Sequence, residues 1–233
     1  MRGVGKALRL ETHDHWGGLE AARRAAARGA GIVWLFSHNM INDGIAMISK
    51  LRSDPAFADK DLLIPMSTEL FYDRRYRHFQ SPLRTKFIPI VTPEARARKK
   101  LGIYPTGLKT YLEESRNVLK RGGMVAIALQ AQGNQGALDM TNPTRAFSLF
   151  LKAASPGRDV VIMPVGISAP HAAREHKSQK GAHWGRRIRV DFGRCVSRDQ
   201  LLAESEEFGG NTDAWAYQAL ATLLPKAAVK HRE

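Results

Sequence analysis

The chain has 233 residues, of which 43% are hydrophobic and 25% are charged, and this balance excludes an intrinsically disordered chain and indicates one folded domain. Its 36 lysine and arginine residues exceed its 22 aspartate and glutamate residues, and the formal net charge of +14 favours an anionic partner: nucleic acid, phospholipid headgroups or an acidic protein. The single cysteine, Cys195, excludes an intramolecular disulfide and a cysteine-rich zinc site, and it therefore indicates a reducing compartment.

Helices and strands alternate in the first half of the sequence. An alanine- and arginine-rich stretch predicts a helix over about Gly18 to Arg28, and the apolar run Ile32–Phe36 after it predicts a buried strand. Apolar residues at helical spacing then predict a helix that ends before Pro55. Short buried strands are predicted at Leu62–Met66 and at Phe87–Val91.

The second half continues this alternation. Leu108–Arg121 has the pattern of an amphipathic helix stopped by two glycines, and the strand Met124–Leu129 follows it. Asn142 as a helix N-cap and Pro143 at the first helical position predict the start of the next helix. The remaining predicted elements are strands at Val160–Ser168 and Ile188–Phe192 and helices that begin near Ser197 and Thr212.

The alternation predicts an α/β fold, with a single domain built on a mostly parallel central sheet flanked by helices. We divide the chain into an N-terminal helical segment over residues 1–29, the α/β domain over residues 30–225 and a basic C-terminal tail over residues 226–233. The longest apolar runs have the length of strands, far short of the roughly 20 residues of a membrane-spanning helix. The basic N-terminus lacks the apolar centre of a signal peptide.

The segment Ser37–Gly44 is the main candidate for chemistry. It follows an apolar strand and precedes a helix, which is where open α/β sheets bind their ligands. If the chain turns between the two residues, the Asp43 carboxylate can accept a hydrogen bond from the proton-bearing ring nitrogen of His38, and the other nitrogen can take a proton from a hydroxyl group. The alternative interpretation is structural: Asp43 or Asn42 caps the helix, and His38 is an ordinary loop residue.

The spacing His-x-x-x-x-Asp after a strand resembles the first motif of the glycerolipid acyltransferase superfamily, which includes the lysophosphatidic acid and glycerol-3-phosphate acyltransferases. The resemblance continues in order through the helix and strand of Leu108–Gly123 and Val125–Leu129. Val161–Ser168 resembles the family's fourth motif, and Arg189–Gly193 resembles its late strand ending in Phe-Gly. The resemblance covers roughly residues 30 to 225 and implies the α/β fold of that superfamily.

The family's third motif is where this chain departs from the pattern. In place of Phe-Pro-Glu-Gly-Thr-Arg it has an uncharged loop that keeps Gly133 and carries glutamines at the positions of the family's Glu and Arg. Such a loop offers amide hydrogen bonds instead of a guanidinium group, and its alternative interpretation is an ordinary surface turn. Arg96 and Arg98 are one possible source of the missing charge. The residues expected to bind the acceptor are the loop residues and a second pair of arginines: Gln132, Gly133, Asn134, Gln135, Arg74 and Arg75.

The resemblance implies an O-acyltransferase of phospholipid biosynthesis. His38 would be the general base, oriented by Asp43, and would act on a hydroxyl group of a lipid or lipid-precursor acceptor. The acyl group would come from acyl-CoA or acyl carrier protein, and neither a metal nor a bound cofactor is expected. The basic charge would face an anionic membrane surface. We therefore expect a cytoplasmic, peripherally membrane-associated protein.

Two other functions stay open at this point. The net charge permits a nucleic-acid-binding protein, although the sequence contains no known nucleic-acid motif and we do not expect this partner. The changed third motif permits a relative of the acyltransferases that has lost catalysis and only binds lipid. The aromatic candidates for base stacking in a nucleic-acid-binding protein are Tyr72, Tyr76, Phe79 and Tyr104.

His13 and His15 could suggest a metal site, but they are more typical of surface residues.

Overall fold

Strands and helices follow one another along the chain. The computed structural model describes residues 9–38, 43–67, 85–90, 107–129, 137–141, 143–154, 159–171 and 186–230. The strands are β1 Arg9–Asp14, β2 Gly31–Phe36, β3 Leu62–Ser67, β4 Thr85–Ile90, β5 Met124–Ala128, β6 Leu138–Asp139, β7 Val160–Ser168, β8 Arg187–Phe192, β9 Val196–Ser197 and β10 Val229–Lys230. The α-helices are α1 Gly18–Ala27, α2 Asp43–Ser53, α3 Leu108–Lys120, α4 Ala146–Ala154, α5 Arg198–Ser205 and α6 Thr212–Ala221. Within the residue ranges given above, no helix combines the length and the apolar composition that a membrane span requires.

Eight of these strands form one sheet in the order β1-β8-β7-β2-β5-β3-β4, with β9 added beside β7. The five strands from β7 to β4 are parallel to their neighbours, whereas β8 runs antiparallel to β7 and pairs in parallel with β1. The sheet is therefore mostly parallel, and the predicted α/β class is confirmed. Because Phe36 pairs with Ala128, the loops after β2 and β5 leave the same edge of the sheet side by side.

Helices cover both faces of the sheet. Helices α1 and α2 pack on one face, where the Trp34 ring contacts Phe57 and Phe192 edge to face at centroid distances of 5.1 and 6.2 Å. Helices α3 to α6 pack on the other face around Tyr111 and Phe147. All six residues of β2 are buried because both faces are covered, which explains its continuous apolar run.

Two elements near the chain ends depart from the sequence-based predictions. Strand β1 lies in the segment predicted to be helical, and it extends the sheet by pairing with β8 from Arg9 opposite Arg187 to Asp14 opposite Phe192. Strand β10 lies in the predicted basic tail and pairs with β6. Both strands are short and largely polar, and each depends on a partner far away along the chain, so neither produces a local apolar pattern.

The start of α4 also differs from its prediction. The helix begins at Ala146, three residues after the proline predicted to open it. The Asp213 carboxylate of α6, which is 5% exposed, accepts hydrogen bonds from the backbone N–H groups of Phe147 and Ser148 at 3.0 and 3.1 Å. A side chain of another helix therefore caps α4, while Asn142, the predicted cap, lies outside the described residues.

Candidate active site

The strand β2 positions the start of the candidate segment. It lies between β5 and β7 in the middle of the sheet, and two hydrogen bonds hold the chain where the strand ends. The backbone N–H of Leu129 donates to the Phe36 carbonyl at 3.0 Å, and the backbone N–H of Ile167 donates to the buried Ser37 hydroxyl at 3.5 Å. His38 follows directly, so its backbone leaves the sheet from a fixed position.

Asp43 is the first residue of α2, and its carboxylate contacts the His38 ring. The Nδ1 atom of His38 lies 2.8 Å from each carboxylate oxygen. Because an ionised carboxylate only accepts hydrogen bonds, Nδ1 carries the proton in this contact. The backbone N–H of Gly44 also donates to Asp43 Oδ1, at 2.6 Å. The predicted contact between the two side chains is confirmed, while their catalytic role stays a prediction.

The two side chains differ in their exposure to solvent. Asp43 is 1% exposed, whereas the His38 side chain is 23% exposed. The contact with Asp43 uses Nδ1, and Nε2 of His38 makes no hydrogen bond within the described part of the chain. In the neutral form of the ring, Nε2 therefore carries no proton, and a buried carboxylate maintains the orientation of the ring.

The environment raises the pKa of His38 above the ordinary value for histidine. Burial of the ring is the largest single influence and disfavours the charged imidazolium, but the hydrogen bond to Asp43 and the charge of that carboxylate together outweigh it. A carboxylate that stabilises the imidazolium makes the ring a stronger base. This is the property that proton removal from a hydroxyl group requires.

The predicted acceptor-binding residues all fall in segments outside the described ranges. Strand β5 ends beside β2, so the chain that continues from Leu129 towards residue 130 leaves the sheet next to Ser37 and His38. The following candidates lie outside the described residues: Gln132, Gly133, Asn134, Gln135, Arg74, Arg75, Arg96 and Arg98.

Sequence reasoning missed a residue that holds both flanks of this loop. The Tyr217 hydroxyl on α6 donates to the Leu129 carbonyl at 2.9 Å and accepts from the backbone N–H of Thr144 at 3.1 Å. The side chain is 1% exposed. In the sequence Tyr217 is one more aromatic residue on a helix, and only the three-dimensional structure identifies its two distant partners.

The other histidines near the N-terminus contact carboxylates as well. His13 Nε2 lies 2.9 Å from Glu11 Oε1, and His15 Nε2 lies 2.5 Å from Oδ1 of the buried Asp191. Among the described residues, no group of three or more His, Cys, Asp or Glu side chains is placed to hold a metal ion.

Cys195 packs against the core, and burial raises the pKa of its thiol to about 11, which disfavours the thiolate that a nucleophile would need.

Comparison with known proteins adds no relative from which a function could be transferred. No family model matches the chain, and no curated protein matches its sequence. A function for this chain is therefore inferred from the fold, from the geometry of His38 and Asp43 and from the sequence motifs.

Proposed function

We propose that the protein is an O-acyltransferase that moves an acyl group from an acyl thioester to a hydroxyl group of a lipid or lipid precursor. The observation that supports this most directly is the His38 ring held by the buried Asp43 carboxylate at the carboxyl end of a central parallel strand. Ligands of open α/β sheets bind at this end of the strands. The reaction type, acyl transfer, is inferred from the order of the sequence motifs, which resembles that of the glycerolipid acyltransferases.

The reaction begins with a proton transfer. Nε2 of His38 takes the proton of the acceptor hydroxyl while that oxygen attacks the thioester carbonyl carbon. The tetrahedral intermediate then collapses, the carbon–sulfur bond breaks, and the imidazolium returns its proton to the thiolate. The products are the ester and a free thiol, and no acyl-enzyme is needed. Asp43 keeps the proton on Nδ1 and stabilises the imidazolium between the two steps.

Exposed arginines near the same edge of the sheet suit an anionic partner. Because β8 runs antiparallel to β7, its first residues lie beyond the carboxyl end of β7, where Ser168 pairs with Arg189. Arg186 and Arg187 are exposed there, Arg187 forms an ion pair with Glu11 at 3.1 Å, and the exposed Arg9 lies opposite Arg187 on the neighbouring strand β1. Each suitably placed cation contributes roughly 1 kcal/mol of attraction to an anionic membrane. We propose peripheral attachment to anionic lipid, with phosphates of the acyl carrier as further partners.

The acceptor is proposed to be recognised without a phosphate bound at Gln135, because glutamine cannot provide the bidentate charged contact of arginine. A lysophospholipid with a larger headgroup, a sugar or an amino-alcohol lipid fits this requirement. A panel of acceptors tests it with the wild type and with Gln135→Arg. A strong preference of the wild type for glycerol-3-phosphate or lysophosphatidic acid, unchanged by alanine at the four candidate arginines, would contradict the proposal.

The central experiment measures thiol release from acyl-CoA and acyl carrier protein with that panel. His38→Ala should lower the rate by about 10²–10⁴, the usual contribution of a general base. His15→Ala is a matched control because it also removes a histidine that contacts a buried aspartate. It should retain nearly the wild-type rate. If His38→Ala kept more than about a tenth of the activity, proton removal by His38 would be excluded. Lipid binding without turnover would favour the non-catalytic alternative.

A further inference from the structure

A surface cavity of about 330 Å³ lies where α5 and α6 meet the end of β8. Pro164 and Gly193 form part of its wall. Helices α5 and α6 pack on the face of the sheet opposite to α2, so the cavity is separate from the His38–Asp43 pair. Its aromatic and charged lining residues are Trp16, Arg194, Glu204, Glu207, Phe208 and Trp215.

Three aromatic side chains line this one cavity. Trp16 is 55% exposed and Phe208 is 36% exposed, which makes both unusual among the large hydrophobic residues described here. Trp215 is 6% exposed, and its Nε1–H group donates to Glu204 Oε2 at 3.0 Å. Single exposed aromatic residues are common on protein surfaces, but several around one cavity indicate a binding site. The faces of such rings attract cations.

The charges of the lining are negative in sum. Arg194 Nη2 lies 2.5 Å from Glu204 Oε1, so the guanidinium is balanced by a carboxylate that Trp215 also contacts. The exposed Glu207 carboxylate has no hydrogen bond or ion pair with any residue that the structure describes. One uncompensated negative charge therefore lies beside aromatic surface. The described part of the chain offers no group of three metal-ligating side chains, so a hard metal ion would lack the oxygen ligands it needs here.

We propose that this cavity binds a quaternary ammonium group such as that of choline. The methyl groups of such a cation contact aromatic faces, and its diffuse charge is balanced by Glu207 without any N–H group that would need a partner. The cavity is at the small end of the range for ligand pockets, as a single headgroup requires. This proposal does not depend on acyl transfer and can be tested in the absence of turnover.

The experiment follows the indole N–H signals of the ¹⁵N-labelled full chain during titration with choline chloride at constant ionic strength. The neutral probe is 3,3-dimethyl-1-butanol, which has the shape of choline with carbon in place of nitrogen. We expect saturable shifts of the Trp16 signal with a millimolar Kd for choline and weaker binding of the neutral probe. Glu207→Gln should raise the Kd for choline about threefold or more.

Glu206→Gln is the matched control, because Glu206 is exposed and belongs to the same short helical turn but does not line the cavity. It should leave the Kd unchanged. Trp16→Leu keeps an apolar side chain without the aromatic face, and it should weaken choline binding while the remaining indole signals show that the fold is intact. The proposal is overturned by equal binding of the neutral probe, by an equal effect of the two glutamate variants, or by no saturable shift up to about 100 mM choline.

Discussion

In the part of the chain that the structure describes, two histidine rings contact a buried aspartate, and the two contacts use different ring nitrogens. His38 contacts Asp43 through Nδ1, and His15 contacts Asp191 through Nε2. Both aspartates are 1% exposed, and both histidine side chains are partly exposed. Burial and distance alone would not distinguish the two pairs.

The arginine contact of Asp191, the pKa of His38 and the positions of the two pairs on the sheet do distinguish them. Arg189 donates to both oxygens of Asp191 at 2.6 and 2.7 Å, so a permanent cation already balances that aspartate. Asp43 instead raises the pKa of its histidine. The first pair follows the central strand β2, whereas the second joins the edge strand β1 to β8. The two contacts therefore differ in the ring nitrogen that they use, in the raised pKa of His38 and in their position on the sheet.

The largest expected difference between the two pairs is in the acyl-transfer rate after each aspartate is replaced by asparagine. Asp43→Asn should lower the acyl-transfer rate by about 10²–10⁴, because asparagine favours the wrong tautomer of His38. Asp191→Asn should leave the rate nearly unchanged when it is measured well below its unfolding temperature. Thiol release with circular dichroism as a fold check tests this prediction, and equal losses in the two variants would contradict it.

Double-mutant cycles should show what holds Asp191. The bidentate contact with Arg189 should give a coupling free energy of about 1–2 kcal/mol in the free energy of unfolding. The coupling of Asp191 with His15 should be smaller, because His15 makes a single contact with this carboxylate, through Nε2. Urea unfolding of the single and double variants measures both values. A larger coupling with His15 would mean that the second pair resembles the first more than we infer.

The two flanks of the loop that follows β5 allow a further contrast. Tyr217→Phe should lower the free energy of unfolding by about 1 kcal/mol, because it leaves the Leu129 carbonyl and the Thr144 N–H without their partner. Tyr111→Phe is the matched control, since its buried hydroxyl donates to the Ala126 carbonyl of β5 at 3.0 Å. Both should lose similar stability, but only Tyr217→Phe should raise the KM for the acceptor. An unchanged KM would show that the hydrogen bonds of Tyr217 contribute to stability only.

The smallest expected effect is a pH dependence of stability. Because the pKa of His38 is raised on folding, the contribution of this pair to stability is complete below the ordinary histidine pKa of about 6.5 and is lost as the pH rises through the higher pKa of the folded protein. The free energy of unfolding, measured as the pH rises through this range, should show the loss of this contribution in the wild type and in His15→Ala. Asp43→Asn should not show it. The rate of acyl transfer should rise over the same range, since the neutral ring is the base.

Local sequence patterns predict much of this fold because they depend on neighbouring residues. The apolar run of β2 and the helical spacing in α2 and α3 specify elements within a few residues of their observed bounds. The spacing of His38 and Asp43 across a strand-to-helix turn likewise permits their contact, and the order of the sequence motifs predicts it. In each case the residues that determine the feature lie close together in the chain.

Other features depend on which distant segments become neighbours. Strand β1 exists because it pairs with β8, Asp213 caps α4 from another helix, and Tyr217 joins the two flanks of a loop. The cavity next to Trp16 likewise combines the chain after β1 with α5 and α6. The sequence by itself thus determined the α/β class and the spacing that allows the histidine–aspartate contact, whereas only the tertiary structure decided the edge strand β1, the contacts of Asp213 and Tyr217, and the cavity. The physical reason is that hydrogen bonds and packing between distant segments require a register that no local pattern encodes.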